Sequence, residues 1–119
     1  MLKFQVEFYE EGTHDPVGEF LTNLPQKAEK KALTFISLLQ EKGPEMLSSY
    51  CTKLSHYSKL WELKIDYRTN AYRIFFFRNE QTIILLHGIA KKTNDTPVAD
   101  LDLSEKRMKD WLTRRGIKK

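Results

Sequence analysis

The sequence predicts an α+β domain, an antiparallel sheet with a helical hairpin packed on one face, in the order β-α-α-β-β-β-α. Three observations predict it. Residues 3–9 alternate apolar and polar side chains. Residues 28–39 carry apolar residues at spacings of three and four. Between positions 60 and 90, three β-rich runs follow one another through short polar turns. Alternation is the period of a half-buried strand, and the three-and-four spacing is that of one helix face.

The first strand places Phe4, Val6 and Phe8 against Lys3, Gln5 and Glu7. Asp15-Pro16 then supplies an N-cap and a proline at the first helical position, opening a short helix through Val17, Phe20 and Leu21. Asn23-Leu24-Pro25 repeats that start signal for a longer helix, whose apolar stripe is Ala28, Ala32, Phe35, Ile36 and Leu39. Gly43-Pro44 ends it, and residues 45–59, without a clean period, read as a long connection. Strands over Leu60–Asp66, Ala71–Arg78 and Thr82–Ala90 form a meander, turning at Tyr67–Asn70 and Asn79–Gln81. Lys91–Leu101 reads as a loop. Ser104 is expected to cap a last helix holding Met108, Trp111 and Leu112 and ending at Gly116.

A chain of 119 residues with 40% hydrophobic and 30% charged side chains is expected to fold as one domain over residues 1–119. The single Cys51 excludes an internal disulfide and fits a reducing compartment, so a cytoplasmic setting is expected. The charged N-terminus is unlike a signal peptide, and the longest apolar run, Ile83–Leu86, is too short to cross a bilayer. The net charge of +4 is unevenly spread: residues 1–50 carry −3, residues 51–104 carry +2 and residues 105–119 carry +5. The cationic half could attract a polyanion.

Alternation also assigns faces. Trp61, Leu63, Ile65 and Tyr67 should meet the helical hairpin, leaving Glu62, Lys64 and Asp66 on the open side. If Arg73 joins Lys64 there, Phe75 lies beside it, and a cation next to an exposed ring is a surface on which bases stack. Lys91 and Lys92 end the last strand. Singly, each of these residues is a surface charge or an edge terminator; together they form a candidate phosphate site. His87 has the intrinsic pKa for acid–base work, yet its apolar neighbours Leu86 and Gly88 favour a structural place. The basic stretch from Lys106 to Lys119 reads as a solvated helix face, a ribosomal RNA contact or a surface for an acidic partner segment.

The segment from Lys53 to Pro97 resembles the phage Gp49-like, HigB-type branch of the RelE/ParE toxin superfamily. The resemblance is carried by Leu-Trp-Glu-Leu-Lys-Ile (60–65), Tyr-Arg-Ile-Phe-Phe (72–76), and Leu-Leu-His-Gly-Ile-Ala-Lys-Lys-Thr (85–93) with Thr96-Pro97 after it. Leu38-Leu39 and Gly43-Pro44-Glu45 agree upstream, so the likeness spans about residues 3–112. It implies the RelE/ParE-like fold and a toxin of a type II toxin–antitoxin module. It further implies ribosome-dependent endonuclease action on messenger RNA, with ribosome and messenger as partners, no membrane and no cofactor or metal. A cognate antitoxin, often a helix-turn-helix DNA-binding protein, would silence it. Carried over by position, Lys64, Arg73, Lys91 and Lys92 become the catalytic candidates. Arg68, Phe75, His87, Arg114 and Arg115 are the RNA-binding candidates beside them. Lys64 stands where the family usually has Arg, and no residue here matches the C-terminal Tyr or His of other superfamily members. In such a site the RNA 2′-OH attacks the adjacent phosphate. Arg73 would stabilise the transition state, Lys91 or Lys92 would add charge stabilisation or protonate the leaving oxygen, and Lys64, if neighbouring cations lower its pKa, would serve as base. A ParE-like gyrase poison and a non-catalytic module binding nucleic acid or antitoxin are the alternatives.

Overall fold

Five strands form one sheet, covered by three helices from two sides. The computed structural model describes residues 3–57, 59–91 and 97–117. In chain order it runs β1 (Gln5–Phe8), α1 (Pro16–Thr22), α2 (Gln26–Lys42), a 3-10 turn (Pro44–Met46), β2 (Cys51–Lys53), β3 (Leu60–Tyr67), β4 (Asn70–Asn79), β5 (Thr82–Lys91) and α3 (Val98–Arg114). The Asp15 carboxylate caps α1, accepting from Gly18 N at 3.0 Å. Asn23 closes α1 instead of opening α2: its backbone and side-chain N–H groups both donate to Glu19 O. Pro25, with no side-chain cap, precedes α2. The stripe Ala28, Ala32, Phe35, Ile36 and Leu39 is buried as its spacing predicts.

The strand order is β1-β5-β4-β3-β2. The meander β3–β4–β5 is antiparallel, but β1 lies parallel to β5, so the sheet is mixed and not antiparallel throughout. Alternation identifies a strand and carries no information on its direction. β2 pairs antiparallel with β3 inside the stretch expected to be a connection. Three residues are too few to show a period.

The helices do not share one face. α1 and α2 pack on Leu63, Ile65, Tyr72, Ile74, Phe76, Ile83 and Leu85. α3 packs on the reverse side, where Met108, Trp111 and Leu112 meet Leu60, Phe77, Ile84 and Leu86. The continuous apolar runs of β4 and β5 require this, because a strand buried on both faces cannot alternate. α3 also starts earlier than expected, directly after Pro97. Ser104 lies within it, wholly buried, its Oγ donating to Asp100 O at 2.8 Å instead of capping. Among the described residues no helix is long and apolar enough to cross a membrane.

Candidate functional site

Strand pairing brings part of the candidate set together. Lys64 and Arg73 are direct partners across β3 and β4, and Arg73 in turn pairs with Ile89 of β5. Strand position 91 pairs with Ala71, the next residue on the side of Arg73. This depends on an irregularity. Phe75 pairs with His87 while Phe76 pairs with Leu85, so Leu86 is an extra residue in β5. An extra residue reverses the alternation beyond it. Before the bulge, Ile83 and Leu85 face the α1–α2 pair and Ile84 and Leu86 face α3. After it, His87 stacks on Phe75, with ring centroids 6.2 Å apart and planes at 23°. Without the bulge the odd-numbered end of β5 would point into the α1–α2 core.

The surface is not the open cationic platform that alternation suggests. Arg73 is only 3% exposed, and its Nη1 lies 3.2 Å from Glu62 Oε2. Phe75 is fully buried, so it cannot stack on a nucleobase. Both expectations fail for one reason: a sheet face can carry charged residues and still be covered, when a carboxylate neutralises the guanidinium and α3 occupies the same side. Lys64 is accessible, its side chain 39% exposed, and its Nζ lies 3.9 Å from Asp66 Oδ1. Its charged neighbours are therefore one anion, Asp66, and one cation, its cross-strand partner Arg73. Lys91 is described in its backbone alone, and Lys92 lies outside the described residues.

The RNA-binding candidates divide. Arg68 sits in the β3–β4 turn at φ +58°, exposed, its Nε donating to the Tyr67 hydroxyl at 3.2 Å. His87 is engaged at both ring nitrogens. Its Nε2 lies 2.8 Å from Asp100 Oδ1, and its Nδ1 lies 3.3 Å from Arg107 Nη1. A guanidinium only donates, so Nδ1 accepts and the ring proton sits on Nε2 facing Asp100. The structural place suggested by its apolar neighbours is the one it takes: it ties α3 to β5. Arg114 is bound to Asp110 Oδ2 (Nη2 at 2.6 Å) and to Glu10 O (2.8 Å), while Arg115 pairs with Glu7. Both are engaged along the β1 side of α3 and do not join the Lys64–Arg73 cluster.

Glu62 is the residue that sequence reasoning missed as a participant. It touches Arg73, and its side chain is 13% exposed. The signal was present: Glu62 and Lys64 are two apart on one strand and share a face. The cluster thus contains one accessible ammonium, one buried guanidinium and one carboxylate in contact with it. That set can bind a phosphate and accept a proton, provided that the phosphate competes with Glu62 for Arg73. A family model described as phage-derived protein Gp49-like matches residues 19–109, most of the chain. No curated protein matches.

Proposed function

The chain belongs to the phage-derived Gp49-like family, a family of HigB/RelE-type toxins, and from that premise we propose that it is the toxin of a type II toxin–antitoxin module that cuts messenger RNA on the ribosome. The reading is supported by one observation above the others, the register that sets Lys64 opposite Arg73 with position 91 next along the same side. Lys64 meets the scissile phosphate from the surface. Arg73, held by Glu62, stabilises the charge that develops on phosphorus. Glu62 takes the proton of the attacking 2′-OH as the phosphate displaces it from Arg73. The 2′-oxygen bonds to phosphorus, the bond to the 5′-oxygen breaks, and a lysine at 91 or 92 protonates that oxygen. The ribosome supplies messenger alignment. The partner that silences the toxin is a cognate antitoxin.

The test is primer-extension mapping of messenger RNA in a translation extract, with ribosomes present and absent. Arg73→Ala and Lys92→Ala, checked for folding by circular dichroism, should each lower cleavage about 100- to 1,000-fold. Glu62→Gln, which keeps the shape but not the basicity, should lower it about 100-fold or more. Unchanged cleavage in Arg73→Ala and Lys92→Ala together would remove the site assignment. A second reading has an observation in its favour. The burial of Arg73 against Glu62 suits a toxin that binds without cutting, such as a ParE-like gyrase poison. Intact messages with lost gyrase supercoiling would select it.

A further inference from the structure

On the β1 side of α3 lies a pocket of about 420 Å³ that takes no part in the Lys64–Arg73 cluster. Its floor is the Tyr9 ring, buried and flanked by two guanidinium groups, Arg114 at 5.0 Å and Arg107 at 5.8 Å from the ring centroid. One wall is the tight turn after β1, where Gly12 adopts φ +59° and leaves open space above its Cα. The other wall is α3, which contributes Leu103 and Lys106.

Its charges are mostly satisfied internally. Arg107 Nε donates to Glu11 at 3.1 Å and its Nη1 to Leu86 O at 2.8 Å. Arg114 and the Tyr9 hydroxyl both donate to Asp110. The remaining charge is Lys106, exposed and without an ion-pair partner among the described residues. Beside it stands the apolar Leu103, one helical turn back. Residues 105–117 carry five basic and two acidic side chains, a net of +3, so the surroundings reinforce the sign.

We propose that this pocket receives an acidic segment of a protein partner, with a carboxylate on Lys106 and an adjacent apolar side chain on Leu103 and Tyr9. A nucleic-acid backbone fits less well, because Arg107 and Arg114 are engaged by Glu11 and Asp110 and leave a single cation, Lys106, for its successive phosphates. A peptide needs only one carboxylate on the exposed Lys106 ammonium, whose charge also acts on Asp110, and can turn its amides toward those acids. Identification of the partner as the antitoxin rests on the toxin proposal; the ligand class does not.

The experiment selects a displayed library of random 12-residue peptides on the purified chain and measures the best peptide by fluorescence anisotropy. Enriched peptides should carry Asp or Glu next to an apolar residue. Lys106→Glu should weaken the selected peptide about tenfold or more, equivalent to about 1.4 kcal/mol. Lys53→Glu, an exposed charge reversal in β2 at the opposite edge of the sheet, should leave binding unchanged. Circular dichroism of both variants should match the parent. Basic, uncharged or absent enrichment would overturn the proposal. So would equal weakening by the two reversals, which marks diffuse attraction, or competition by a single-stranded RNA oligonucleotide at lower concentration than the peptide. None of these readouts depends on toxicity, so growth arrest remains a separate test of the toxin reading.

Discussion

At the scale of the residue, the Glu62–Arg73 pair governs what the candidate site can do. Two charges withdrawn from water are tolerated only because each compensates the other, so loss of one partner strands the other. Glu62→Ala should therefore destabilise the fold by about 3 kcal/mol, measured by urea unfolding, as well as change activity. A surface role for Glu62 would leave the unfolding free energy within about 0.5 kcal/mol of the parent. The place of Arg73 on the same face as Lys64 was legible in the sequence from its position within the strand. Its burial was not, since periodicity reports which face a side chain occupies and not what covers that face.

The bulge at Leu86 is the decisive feature at the scale of the element. It lets Leu86 and His87 serve the same side of the sheet, and it turns Gly88 toward α1. There a Cβ would overlap the Phe20 ring, which explains a glycine in the middle of a strand. Gly88→Ala should cost about 1–3 kcal/mol through overpacking. The double variant with Phe20→Leu should recover part of that loss in urea unfolding. Equal losses in single and double variants would show that the ring is not what Gly88 avoids. α3 depends on contacts along its whole length, from Asp100 on His87 to Trp111 Nε1 donating to Glu7 at 3.0 Å. Trp111 also meets Phe77 edge-on at 5.5 Å. Trp111→Ala should accordingly cost about 3–5 kcal/mol.

For the molecule as a whole, stability should depend on alkaline pH through two buried groups. Tyr9 is pushed up from 10.0 to about 12 by burial and by its bond to Asp110, and Cys51 from 9.0 to about 12 by burial and the nearby Glu45 carboxylate. A folded value raised above the unfolded one contributes stability that is present below the unfolded pKa and is lost as pH rises toward the folded one. The urea midpoint should thus hold up to about pH 9 and fall between pH 9 and 12. Cys51→Ala should flatten the lower part of that decline and Tyr9→Phe the upper part; an identical profile in both variants would refute the assignment. The sequence by itself determined the helices and the meander, because side-chain periodicity and turn chemistry are local properties, and its motifs carried the resemblance to the family. It also determined which strand residues carry charge. The parallel pairing of β1, the second helical cover, the bulge that sets the face of His87 and the neutralisation of Arg73 by Glu62 were decided only by tertiary structure. Each depends on segments distant in the chain competing for one surface, and no local period records which of them takes it.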